Sequence, residues 1–212
     1  MELLNPDWNQ QKPSVNDALS VCDRVELSRI DIESSSVVSV LNSLQAAHLN
    51  GRVLFAAVRI GGNPILDWFG SRNRLLEFDV LPRLLQRPEM REWLPGLLPE
   101  GAAEPSLSAT EGATCSPYGL KLESPFTFDA TLATTLYQGG AYHSSEGDGK
   151  AEKELAIAFC DALFEQRYGE MAYFVTFDAW SPWFYDVAWD WTAVLWDRRK
   201  RVLFVLAVTD TD

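Results

Sequence analysis

The chain reads as an α+β protein, a mainly antiparallel sheet with helices packed on it. Three observations carry that reading. Two apolar runs, "TAVLW" and "VLFVLAV", flank the charged "DRRKR" in the manner of a β-hairpin. Apolar residues recur at three-and-four spacing in "SSSVVSVLNSLQAAHLNG" and in "KAEKELAIAFCDALFEQRYG", the pattern of amphipathic helices. Strands and helices follow one another without strict βαβ alternation, which favours helices covering an antiparallel sheet.

With 212 residues and 47% hydrophobic content, the chain has enough apolar surface to offset the entropy of ordering one domain over residues 1–212. The first stretch, through about Asp23, is polar and reads as irregular. "RVELSRIDI" alternates as a strand, and Val37, Val40, Leu41, Leu44 and Ala47 then mark a helix between a serine N-cap and Gly51. "RVLFAAVRIG" is a continuous apolar run suited to a central strand, with "ILDWFG" as its antiparallel partner after a turn at Asn63-Pro64. Pro82, Pro88 and Pro95 break the next segment into short helices.

Residues 100–124 shift to Gly, Ala, Ser, Thr and Pro, a flexible loop or a linker between two lobes. Asp129 caps a helix ending at Gly139-Gly140, and Asp148 caps the next, in which Leu155, Phe159 and Leu163 share one face with Ile157 and Ala162 alongside. "MAYFVTFDAW" is strand-like. In the terminal hairpin, alternation assigns Trp189, Trp191, Ala193 and Leu195 to one face and Val194 and Trp196 to the other, so both faces should be covered.

Lys and Arg total 18 against 30 Asp and Glu, a formal charge of -12 that repels phosphate backbones and anionic lipid. Nucleic acid is not expected as a partner, whereas a basic protein would be steered toward this surface. The "RRKR" run at the hairpin tip is too local to reverse that field. No apolar run approaches the ~20 residues of a membrane span, so no membrane partner is expected. "MELLNPDWNQQKP" lacks the basic flank and apolar core of a signal peptide, and Cys22, Cys115 and Cys160 form no CxxC pair. Both features point to a reducing cytoplasm.

Conventional catalytic groups are sparse. His48 sits near a helix end, where it would bond terminal carbonyls. His143 lies in a polar loop with Ser144 and Ser145, but no GxSxG elbow accompanies it. Cys160, mid-helix beside Phe159, reads as a small buried hydrophobe. No catalytic residue and no cofactor is expected.

The carboxyl-terminal third is the informative part. Five of the eight tryptophans lie between Trp180 and Trp196. Covering them all would remove on the order of 1,000 Å² from water, more than monomers usually expose in one patch. Pro182 keeps "WSPWFYD" out of a central strand, so Trp180, Trp183, Phe184 and Tyr185 read as a loop whose aromatics either pack inward or anchor a partner. Asp186 and Asp190 join them as carboxylates at that binding rim. If the terminal "TDTD" approaches "DVAWD", Asp186, Asp190, Asp210 and Asp212 would supply oxygen ligands for a divalent cation, the basis of an alternative reading as an aspartate-based metal-dependent hydrolase. Their bland reading is as turn, cap and solvated residues.

"GGAY", "WSPWFYDVAWDWT" and "VLAVTDTD" together resemble a group of bacterial proteins with a similar WDWT and TDTD ending, over roughly residues 126 to 212. That resemblance implies a small acidic immunity protein, an antitoxin-type chain that neutralises a cognate toxin or effector by direct contact. It assigns no contact residue. A structural subunit that self-associates as a homo-oligomer is a third option.

Overall fold

The computed structural model describes residues 3–98, 110–145 and 147–211. Six strands form one antiparallel sheet in the order β1-β2-β6-β5-β4-β3: β1 Leu27–Ile30, β2 Arg52–Ile60, β3 Lys121–Glu123, β4 Met171–Thr176, β5 Trp191–Asp197 and β6 Val202–Thr209. Seven helices are present among the described residues: α1 Val15–Arg24, α2 Ser35–Ala47, α3 Pro64–Ser71, α4 Val80–Leu85, α5 Pro88–Trp93, α6 Phe128–Gln138 and α7 Lys150–Phe164. No helix among them is long and apolar enough to cross a membrane.

The β5–β6 hairpin lies at the middle of the sheet, and every residue of β4, β5 and β6 is buried. Alternation distributes the hairpin side chains as expected from Trp191 onward, whereas Trp189 lies in the turn before β5 and is half-buried. Trp191, Ala193 and Leu195 enter a core layer with α2, α6 and α7, while Val194 and Trp196 enter the opposite layer with α1, α3, α4 and α5. Helices therefore cover both faces. On one side Phe128 lies 5.1 Å edge-on to Tyr173 and 6.3 Å from Trp191. On the other, Trp196 reaches α3 at Gly70, where an added Cβ would come within 2.6 Å of the indole nitrogen.

Two segments differ from the sequence expectation. The polar start contains α1, closed by a reciprocal capping box in which Ser14 and Asp17 bond each other's backbone N–H groups. That helix buries Ala18, Val21 and Cys22, spaced three and four apart, beneath an otherwise polar face. "ILDWFG" is not a strand but α3: the Asn63 side chain accepts from Ile65 N at 2.9 Å, and Pro64 supplies the preset φ of a first helical residue. The partners of β2 are β1 and β6 instead.

In α7, Phe159 and Leu163 are buried as expected, but Ile157 turns outward and Ala156, Cys160 and Phe164 complete the apolar face. Of the proposed loop at 100–124, the part up to 109 lies outside the described residues. The remainder joins the structure firmly. Lys121–Glu123 pairs with β4 at the sheet edge, and Tyr118 and Leu120 are fully buried against the α1–α5 layer.

Candidate functional site

Strand register brings the distinctive motifs to one end of the sheet. β2 begins at Arg52 opposite Thr209, β5 begins at Trp191 opposite Val208, and β4 ends at Thr176 opposite Thr192. The turn before β2, the 177–190 connection and the residues after β6 therefore emerge together across four neighbouring strands, a width of about 15 Å.

These segments are bonded into one unit. Thr209 Oγ1 donates to Asp190 Oδ1 at 2.5 Å, and Val187 N donates to Asp190 Oδ2 at 3.0 Å, so Asp190 ties the WDWT and TDTD segments together. Asp210 is fully buried, and its Oδ2 accepts from Ala141 N at 2.8 Å in the GGAY loop. Gly140 makes that approach feasible: an added Cβ would lie 2.0 Å from Asp210 Oδ2 and 2.7 Å from the Ala47 carbonyl oxygen. Asp210 Oδ1 and His48 Nε2 are buried here without hydrogen-bond partners. The other imidazole nitrogen of His48 bonds the Leu44 carbonyl at 2.7 Å, the helix-end role expected of it.

Asp190 and Asp210 are thus spent on loop closure. Asp186 is exposed on a residue with φ 60°, Asp190 and Asp210 bond separate loops, and Asp212 lies outside the described residues. Among the described residues no group of three or more His, Cys, Asp or Glu is placed to hold a metal ion. What the arrangement can do is hold a loop rigidly.

Within that loop the aromatics divide into two sets. Trp183 and Phe184, 2% and 6% exposed, turn into the α1–α5 layer and pack edge to face with centroids 5.0 Å apart. Trp180 is half-buried: its indole N–H donates to Thr192 Oγ1 at 2.9 Å, and its ring lies 4.5 Å from Tyr118. These three are internal anchors: of the two readings open for the loop aromatics, Trp183 and Phe184 take inward packing. The loop has no sequence period that could have separated inward from outward side chains.

The outer set is Tyr185 and Phe177. Tyr185 is 41% exposed; its hydroxyl accepts from Arg52 Nη2 at 2.9 Å, and the guanidinium lies 5.5 Å from its ring. Phe177, 60% exposed, follows directly after β4 and was hidden within the strand-like "MAYFVTF". Asp178 and Asp186 are exposed beside them in the connection, and neither has an ion pair among the described residues. Leu49 and Tyr142, also exposed, stand on the other two loops of this end.

The remaining candidates for chemistry fall elsewhere. Burial pushes the Cys160 thiol up to about 12, so it is held as the unreactive thiol, and Cys22 likewise. His143 and Ser144 are exposed on the loop after α6, and Ser145 is half-buried. At the hairpin tip the basic run is paired internally: Arg199 with Glu170 at 3.1 Å, Lys200 with Glu165, and Arg201 with Asp67 through two bonds of 2.6 and 2.9 Å. Arg198 donates to the carbonyls of Gly169 and Met171. Comparison with known proteins returns no family model, no curated protein and no solved structure that matches this chain.

Proposed function

We propose that this chain is an immunity protein of the antitoxin type, which neutralises a cognate bacterial toxin or effector in the cytoplasm by protein–protein contact. The observation that carries the reading is the pairing, on one loop, of buried anchors with exposed groups suited to binding. Trp180, Trp183 and Phe184 hold the 177–190 connection to the core, and Phe177 and Tyr185 stand out from it beside Asp178 and Asp186. A pre-organised loop loses little conformational entropy when a partner docks, and exposed aromatics with carboxylates around them supply contact area and steering. The chain's charge of -12 makes a basic face the natural complement. The partner's active site or assembly surface would be covered by this end of the sheet.

Co-expression with whatever toxin candidate a neighbouring gene encodes tests the reading. The native chain should co-purify with the toxin and protect the cell. The double variant Phe177→Ser, Tyr185→Ser should fold, lose co-purification and fail to protect. Full protection by the folded double variant would remove this surface from the interface. Absence of any complex between the native chain and the neighbouring toxin candidate would count against the immunity reading itself.

A further inference from the structure

β2 outruns its neighbour on one side. β6 pairs with it from Arg52 to Arg59, but β1 pairs only with Ala57 to Ile60, so the first half of β2 forms an open edge of the sheet. Two flanking bonds fix which backbone groups face that edge. Ile60 N donates to Arg201 O and Gly61 N donates to Glu26 O, each at 2.8 Å, so even-numbered residues of β2 bond β6 and odd-numbered ones turn toward β1. Where β1 has ended, Val53 and Phe55 therefore present their N–H and C=O groups outward, and no other strand or loop backbone among the described residues bonds them.

The other margins of the sheet are blunted. β3 is three residues long and Cys115 bridges its outer side at Lys121, and β1 is four residues long with Ser28 and Arg29 exposed. The open part of β2 is apolar instead: Val53, Leu54 and Phe55 are half-buried, whereas Ala56, Ala57 and Val58 are fully buried. A cleft of about 100 Å³ runs beside it, between Phe55 and Ala56 on the strand and Val38 and Leu41 on α2. α2 carries no charged residue, and Val38 stands 51% exposed on it. Over residues 29–56, Arg29 and Arg52 balance Asp31 and Glu33, so this stretch is neutral within a chain of charge -12.

We propose that this edge pairs with itself, joining two copies of the chain in an antiparallel β2–β2 contact across a two-fold axis at Leu54. Outward groups at odd positions are self-complementary in that arrangement: Val53 faces Phe55 of the second copy and exchanges both N–H···O bonds with it, and Phe55 does the same with Val53. The two Leu54 side chains meet on the α1–α5 face, while Val53 and Phe55 cover their counterparts on the α2 face. Two chains of charge -12 repel over most of their surface, and the neutral stretch is where they can approach. Continuation of the sheet satisfies the open ladder and covers its half-buried apolar residues at once. The contact is independent of the toxin-binding reading.

Sedimentation equilibrium of the native chain up to ~0.5 mM tests the proposal. A species of twice the 23.8 kDa chain mass should appear, and its share should rise between ~50 mM and ~500 mM NaCl as the like charges are screened. Val53→Pro deletes an outward N–H that β6 does not use and should weaken dimerisation about tenfold or more. Val38→Asp, at an exposed helix position beside the edge, should weaken it through charge, and it decides the matter if Val53→Pro fails to fold. Leu54→Cys in a Cys115→Ser background should cross-link to a dimer under mild oxidation, because facing residues of a non-hydrogen-bonded antiparallel pair hold their Cα atoms about 4.5 Å apart, within disulfide reach. A native chain that stays monomeric throughout, a dimer untouched by Val38→Asp and a folded Val53→Pro, or a dimer that the Leu54→Cys variant does not cross-link would each overturn the proposal. If a monomeric chain instead loses its toxin through Val53→Pro, the edge receives a strand of the toxin and not of a second copy.

Discussion

At the tip of the β5–β6 hairpin four consecutive basic residues are engaged by their own chain, whereas at the opposite end of the same strands Asp178 and Asp186 stand exposed beside Phe177 and Tyr185. Both ends are fixed by buried aspartates. Asp197 at the tip accepts from Arg167 at 2.5 and 3.1 Å and from the N–H groups of Arg199 and Lys200; Asp190 and Asp210 at the other end accept from backbone N–H groups and Thr209. The tip thus matches each charge internally and leaves little for a partner. The loop end uses carboxylates to hold backbone and leaves Asp178 and Asp186 without an ion pair among the described residues, beside exposed Phe177 and Tyr185. Charge that is satisfied within the fold stabilises it, and charge left at a rigid rim is where recognition is expected.

Breaking the tip should cost most. Asp197 is fully buried, so Asp197→Ala leaves two tip N–H groups without their acceptor and Arg167 with only its bond to Glu170 at 3.0 Å and the more distant Glu165, a loss of about 3 kcal/mol. Urea unfolding should show a lower midpoint at unchanged m-value, and a loss below ~1 kcal/mol would show that this end is not organised by its ion pair. Next comes the loop end. Gly140→Ala puts a methyl against Asp210 Oδ2 and the Ala47 backbone oxygen, a strain of about 1–3 kcal/mol that should also speed hydrogen exchange at Ala141 N. Unchanged protection there would mean that the GGAY loop is held by something other than Asp210. A smaller effect follows for Arg201→Met, which removes a two-bond pair with a half-buried Asp67; about 1 kcal/mol or less should be lost, shrinking further in salt.

How far these features were legible follows from where a period exists. The hairpin and its two-sided burial could be read because alternation over "WTAVLW" places Trp191 and Trp196 on opposite faces, and the α2 and α7 stripes repeat at helical spacing. α3 escaped because "ILDWFG" is apolar nearly throughout, so only Asn63-Pro64 distinguishes it, and that pair serves equally as a turn or as a helix start. α1 escaped because its apolar side is three small or medium residues in a polar stretch, although Ser14 and Asp17 carried the capping signal. At the site, the meeting of "TDTD" with "DVAWD" was legible from strand pairing. Its chemistry was not, since Asp190 and Asp210 are committed by backbone N–H groups and a threonine that no spacing rule links.

The least effect on stability is expected where the effect on binding should be greatest. Phe177 and Tyr185 project from a loop held by Trp180, Trp183 and Phe184, so Phe177→Ser should cost no more than about 0.5 kcal/mol. Tyr185→Ser adds the loss of one partly exposed bond to Arg52 and should remain below about 1 kcal/mol. Trp183→Ser is the contrast: the indole is buried against Phe184, and removing it should cost about 3–5 kcal/mol by opening the α1–α5 layer. Thermal melts of the three variants rank them. If Phe177→Ser proves as damaging as Trp183→Ser, the outer aromatics are part of the core, and the difference between the two ends reduces to one of charge alone.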